Sequence, residues 1–296
     1  MYALRKILAA SVVAALLSAS AMAQELSGTL KKVKDSGTLT VGYRETSIPF
    51  SYLDDKQQPI GYSMDLCAAI VEEVKKELAL PNLTVKYNPV VSQTRIPLMS
   101  NGTIDIECGS TTNNLTRQKQ VSFAPITFIT GTKLVVKKTS KIKSYKDLKN
   151  KTVVVTQGTT NERVIKALSD KDKLNIKFLN AKDHAEAFLT VESGRAQAFS
   201  MDDVLLYGLV AKAKNPKDFD VVGDYLSYDP YGIMYRKNDE DFGQVIRRTL
   251  ARMMRSGEID KVYEKWFLQK LPSGETIGMP MSPLLKSAFK LQALEE

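Results

Sequence analysis

Apolar residues at Leu66, Ile70, Val74 and Leu78 recur every four positions, which places them on one face and predicts a helix over 62–78. On either side of it, 38–43 and 84–87 are short β-rich runs that read as strands, and 29–35 is a short amphipathic lead. A short helix follows over 95–99, stopped by Asn101-Gly102, and then a strand over 104–108. Strand, helix, strand, helix, strand is the order of a parallel α/β sheet with right-handed crossovers.

The pattern restarts past Thr130. Runs 133–136, 152–156 and 196–199 read as strands, and 161–168, 184–191 and 204–212 as helices. A strand over 232–235 and amphipathic helices over 239–256 and 258–268 are too few for a third unit, so they are expected to return to the first. Two α/β lobes follow: lobe 1 from 24–131 and 229–296, lobe 2 from 132–228. The chain crosses between them near 129–133 and 222–231, a double-crossover hinge, and small ligands bind in clefts of this kind. The tail from Leu271 onward is expected to strap across the first lobe.

The N-terminal block stands apart from this pattern. Arg5 and Lys6 precede an uncharged apolar run over 7–19, and Ala21-Met22-Ala23 places small residues where a signal peptidase cuts. Residues 1–23 therefore read as a signal peptide. The run is shorter than the roughly 20 residues that span a bilayer, and Gln24 follows rather than a cysteine, so a free periplasmic protein is expected. In an oxidising compartment Cys67 and Cys108 can pair, and a loop of about 40 residues closed in this way contributes something like 2–4 kcal/mol. The alternative is two small buried hydrophobes.

With 43% hydrophobic and 25% charged residues the chain is globular rather than disordered. The formal +9 holds no block of five or six like charges, so it reads as a solvated basic face and no nucleic-acid partner is expected. GxSxG, GxxxxGK[ST] and GxGxxG are all missing, CxxC does not occur, and His184 is the sole histidine. No catalytic set, metal site or cofactor is expected. Asp105 to Arg117 is more informative: a strand ends at Gly109, the hydroxyls of Ser110, Thr111 and Thr112 follow, and a short helix then carries Arg117. Hydroxyls, helix-start N–H groups and a bidentate guanidinium together can hold a carboxylate.

That stretch, with Phe123-Ala-Pro125, Gly37-Thr-Leu-Thr-Val-Gly-Tyr43, Ile60-Gly-Tyr-Ser-Met-Asp-Leu66, Val155-Thr-Gln-Gly-Thr-Thr160 and Phe199-Ser-Met-Asp-Asp203, resembles the extracellular solute-binding proteins of polar amino-acid ABC transporters. The likeness covers essentially all of the chain after the signal peptide and is greatest to the members that bind glutamate and aspartate. One departure is Ser63, where the family usually has an acid.

The resemblance implies the type II periplasmic-binding-protein fold and a monomer that hands L-glutamate or L-aspartate to a membrane permease. It implies that Thr112 and Arg117 hold the ligand α-carboxylate, Asp202 takes the α-ammonium and the Thr160 turn adds contacts from the second lobe. Arg44, Ser92, Arg95 and His184 match positions that meet a side-chain carboxylate, and Ser110 belongs to the hydroxyl motif. A second carboxylate is costly to desolvate unless paired, and these cations would pair it. Tyr43, Phe50 and Tyr52 could wall the cleft, whereas Trp266 is expected to pack. Two alternatives remain at this level: a dehydratase-like enzyme of the same fold acting on a small carboxylate, and a binder of another amino acid such as glutamine.

Overall fold

The computed structural model describes residues 25–294, so the expected signal peptide lies outside the described residues. The first lobe is built on β1 (Thr38–Tyr43), which pairs in parallel with β5 (Thr84–Pro89) on one side and β6 (Ile106–Cys108) on the other. β13 (Asp229–Arg236) and β7 (Val121–Thr130) complete the order β5-β1-β6-β13-β7. The second sheet runs β10-β9-β11-β8-β12, from β10 (Lys177–Ala181), β9 (Thr152–Thr156), β11 (Ala198–Asp202), β8 (Thr132–Lys137) and β12 (Phe219–Val222). β2 (Thr46–Ser47), β3 (Ser51–Leu53) and β4 (Pro59–Ile60) form a small antiparallel sheet beside the first.

Neither main sheet is purely parallel, which corrects the expectation. β13 is antiparallel to β6 and β7, and β8 is antiparallel to β11 and β12. The cause is the double crossing. β7 leaves the first sheet and becomes β8 after one residue, Gly131, while β13 returns alongside with Asp229 opposite Thr130. Strands that carry the chain out and back side by side must oppose each other. A Cβ on Gly131 would lie 2.2 Å from the Ser227 carbonyl oxygen, so the crossings pack this closely only with glycine there.

Several elements escaped the pattern, β10 and β12 among them. β7 is ten residues long yet interrupted by Pro125, which an edge strand tolerates because no ladder bond is lost on its outer side. The helix Pro283–Gln292 lies in the C-terminal tail and packs Leu285 and Phe289 inward, with Ser282 as its N-cap. Its Gln292 side chain accepts from the Ile126 N–H (2.6 Å) and donates to the Ile126 carbonyl (2.9 Å), capping the open edge of β7. The small sheet was invisible because strands of two or three residues show no period.

Burial explains the rest. The helix Glu240–Ser256 turns Phe242, Val245, Ile246, Leu250 and Met253 into the first lobe, each worth roughly 1.5–3 kcal/mol of transfer free energy. Phe50 belongs to a ring cluster with Tyr62, Phe128, Tyr231 and Phe267, at centroid distances of 4.9–6.0 Å. Tyr52 packs edge-on to Trp266, whose indole N–H donates to Asp65 at 2.7 Å, and Tyr43 packs edge-on to Tyr87. Phe50 is held within the lobe, while Tyr52 also faces the second lobe, lining a groove with Phe188, Leu209 and Lys212.

A disulfide joins Cys67, in the helix Tyr62–Glu77, to Cys108 at the end of β6. From the same helix Ser63 donates to the Gly109 carbonyl at 2.7 Å, so two links hold the backbone that leads into Ser110. No helix among the described residues is long and apolar enough to cross a membrane.

Candidate functional site

Strand ends and helix starts of both lobes meet at one place. β1 delivers Arg44, and the turn after β5 delivers Ser92 and Arg95. β6 leads through Gly109 to Ser110 and Thr112. Asn114 caps the short helix Leu115–Gln118, accepting from the Arg117 N–H at 3.0 Å, and so fixes where Arg117 begins. From the second lobe, β9 leads to Thr159, which caps the helix Thr160–Lys171 by accepting from the Glu162 N–H. Asp183 caps the helix His184–Glu192 in the same way, which sets His184 at its first turn. Asp202 ends β11.

A narrow void lies between these ends. Of the nine residues read from sequence, Ser92, Arg95, Ser110, Thr112, Thr160, His184 and Asp202 line it. Arg44 and Arg117 stand one contact behind: Arg44 Nη2 is 3.3 Å from His184 Nε2, and Arg117 Nη1 donates to the Thr112 carbonyl at 2.9 Å. The two lobes touch directly. Arg117 Nη2 donates to the Gly158 carbonyl at 3.2 Å, and the Thr112 and Thr160 hydroxyls are 3.4 Å apart.

The charges are deeply placed. Arg44, Arg95 and Arg117 are all buried, at 1%, 2% and 3% exposure. Burial, then the charge of Arg95, pulls Arg44 and Arg117 down to about 9 from the ordinary 12.5. Burial lowers Arg95 too, against the pull of the buried Glu107 carboxylate. His184 is pushed well below 6.5 by burial and by Arg44 and Arg95, so its ring is neutral. Asp202 rises from 3.8 to about 7, chiefly from burial and then from the neighbouring Asp229 carboxylate, although it accepts from Asn161 Nδ2 (2.8 Å) and the Tyr231 hydroxyl (2.5 Å).

Four donors at this place have no partner among the described residues: Arg44 Nη1, Arg95 Nε and the hydroxyls of Ser92 and Ser110. Each buried donor left unsatisfied costs roughly 1–3 kcal/mol. Their common complement is an anion with several lone pairs. No group of three or more His, Cys, Asp or Glu among the described residues could hold a metal ion, and the donor set suits a carboxylate better than any cation.

Sequence reading missed several residues that shape the site. Asn161 donates to both Asp202 and Thr132, and Asp229 accepts from the Thr112 hydroxyl at 3.0 Å. Thr156 lies 3.0 Å from His184 Nδ1. Asn161 directly follows Thr160, so its neighbour was a signal. Asp229 and Tyr231 are on the returning strand β13, more than a hundred residues from Thr112, and nothing local marks them.

Residues 39–269 match the family of bacterial extracellular solute-binding proteins, family 3. The chain is 54% identical over 282 residues to the L-glutamate/L-aspartate-binding protein of Pseudomonas aeruginosa, covering 95% of this chain and 93% of that one. It is 46% identical over 285 residues to the glutamate/aspartate import solute-binding protein of Escherichia coli, covering 96% and 94%. Among solved structures, an ancestral arginine-binding protein bound to arginine superposes with a TM-score of 0.71 at 33% identity, over 78% of this chain and 98% of that one.

Proposed function

This chain belongs to the bacterial extracellular solute-binding proteins of family 3, and from that premise we propose that it captures L-glutamate and L-aspartate between its lobes and delivers them to the permease of an ABC importer. The observation that carries the reading is the group of unpartnered buried donors, Arg44 Nη1, Arg95 Nε, Ser92 Oγ and Ser110 Oγ, set among three buried guanidiniums. A dicarboxylate supplies the missing acceptors. The glutamate/aspartate-binding relatives of Pseudomonas aeruginosa and Escherichia coli support it.

In this reading Thr112, Arg117 and the Thr160 turn hold the α-carboxylate and Asp202 takes the α-ammonium. Arg44, Ser92, Arg95, Ser110 and His184 meet the side-chain carboxylate. The segments 24–131 with 229–296 and 132–228 move as two bodies about Gly131 and the start of β13. Ligand contacts from both lobes favour the closed form by their differential affinity, and the permease reads that form. The protein works as a monomer in the periplasm after losing residues 1–23, with no cofactor and no nucleic-acid partner. An arginine ligand is disfavoured, because its guanidinium would join Arg44 and Arg95 with no added anion on its side chain.

Calorimetric titration tests this. Protein unfolded and refolded to strip carried ligand is titrated with L-glutamate, L-aspartate, L-glutamine and L-arginine. Tight binding of the two acids alone is expected. Preference for glutamine or arginine would overturn the ligand assignment, and conversion of an added hydroxy acid would point to the same-fold enzyme.

A further inference from the structure

His184 is the only histidine in the chain, and it is buried between two partners of opposite habit. Arg44 Nη2 lies 3.3 Å from Nε2, and the Thr156 hydroxyl lies 3.0 Å from Nδ1. A guanidinium can only donate. Nε2 therefore presents its lone pair to Arg44, the single proton of the neutral ring sits on Nδ1, and Thr156 Oγ1 accepts it. The hydroxyl proton of Thr156 then points towards the Asp183 carbonyl at 3.5 Å.

We propose that Thr156 is a positioning residue that lets the single proton of His184 stand on either nitrogen, and that through this freedom the cleft admits a side-chain carboxylate. This rests on the dicarboxylate reading above. A carboxylate oxygen at Nε2 needs an N–H there, which leaves the lone pair on Nδ1. Thr156 meets that demand by turning its O–H from the Asp183 carbonyl onto Nδ1. Rotation about one bond makes the same oxygen an acceptor in one tautomer and a donor in the other. The proton count of the ring stays at one: Nδ1 yields its proton to water and Nε2 takes one from water while the lobes are apart. A carboxamide has no need of the change, because its NH₂ can donate to the lone pair already on Nε2.

The alternative, a histidinium that binds the acid by charge, fits the surroundings poorly. The charges of Arg44 and Arg95 act on the imidazole, and the ring against it is Phe199, 6.5 Å away between centroids, which offers no anion. A third buried positive charge there would be resisted by burial and by both arginines.

A sole histidine makes the test direct, since ¹⁵N-histidine labelling yields one imidazole and its protonated and unprotonated nitrogens resonate in separate ranges. The stripped wild-type protein is expected to show Nδ1–H, and the same sample with L-glutamate Nε2–H. Thr156→Val is expected to lose the glutamate-induced change and to bind glutamate on the order of tenfold more weakly, with glutamine affected less. Thr156→Ser is expected to restore both. Glutamate binding in the wild type without a change of tautomer overturns this proposal alone, as does a Thr156→Val protein with wild-type spectrum and affinity. If calorimetry shows that the wild type does not bind glutamate, the dicarboxylate reading falls and takes this proposal with it.

Discussion

Arg117 of the first lobe donates through Nη2 to the carbonyl of Gly158 in the second, while its Nη1 holds the Thr112 carbonyl. One planar fork thus fixes a first-lobe loop and clamps the second lobe against it. Lysine has no such fork. Arg117→Lys is expected to weaken glutamate binding at least about tenfold, the loss of one charged hydrogen bond. Calorimetry on the variant reads this, and an unchanged affinity would remove the clamp from the account.

Gly158 is the other half of that contact. Its φ is +78°, and a Cβ would lie 2.7 Å from Gln93 Cα and 3.0 Å from the Ser92 carbonyl across the cleft. Gly158→Ala is expected to cost about 1 kcal/mol in the fold from the left-handed backbone. Its larger effect should be on closure: small-angle scattering is expected to show that saturating glutamate no longer compacts the variant as it does the wild type.

These two contacts also show what a sequence can and cannot reveal. The strands 38–43 and 152–156 and the helix after Gly61 were legible because their side chains repeat against a sheet or face the core. The turn at Gly158 was legible as a helix start, but its close approach to Gln93 was not, because that depends on how the lobes meet. Tyr231, Asp229 and Thr156 acquire their meaning from partners 28 to 117 positions away. β7 hid behind Pro125, and the tail helix could be read only as a strap.

Asp202 gives a pH dependence with a definite sign. Its carboxyl is raised from 3.8 to about 7, so the folded protein keeps a proton that the unfolded chain has lost between those values. The stability this contributes is present below about 4 and is lost as pH rises through 7. A ligand ammonium needs the charged form, so glutamate affinity is expected to rise by up to about tenfold per unit from roughly pH 5 and to level off above 7. Asp202→Asn should bind weakly with a flat profile. Titrations in buffers of different ionisation enthalpy should show proton release on binding near pH 6.

The Cys67–Cys108 bridge closes a separation of 41 residues, worth about 4 kcal/mol if its effect is on the unfolded chain. Denaturant unfolding of a Cys67→Ala/Cys108→Ala double variant should show a loss of about 2–4 kcal/mol. Glutamate affinity should change less than tenfold, because Ser63 still holds the Gly109 carbonyl ahead of Ser110. A variant of full stability but no binding would reverse this division of roles.

The central claim is that buried guanidiniums choose a side-chain carboxylate, and glutamate and glutamine isolate it, since they differ little but in that charge. The decisive measurement is their affinity ratio by calorimetry, in the wild type and in Arg95→Met. Desolvated charge pairs of this kind couple by about 2 kcal/mol or more, so wild-type protein is expected to prefer glutamate by roughly thirtyfold or more, and Arg95→Met to lose most of that preference. A wild-type ratio near one, or a ratio that survives in Arg95→Met, would contradict the account.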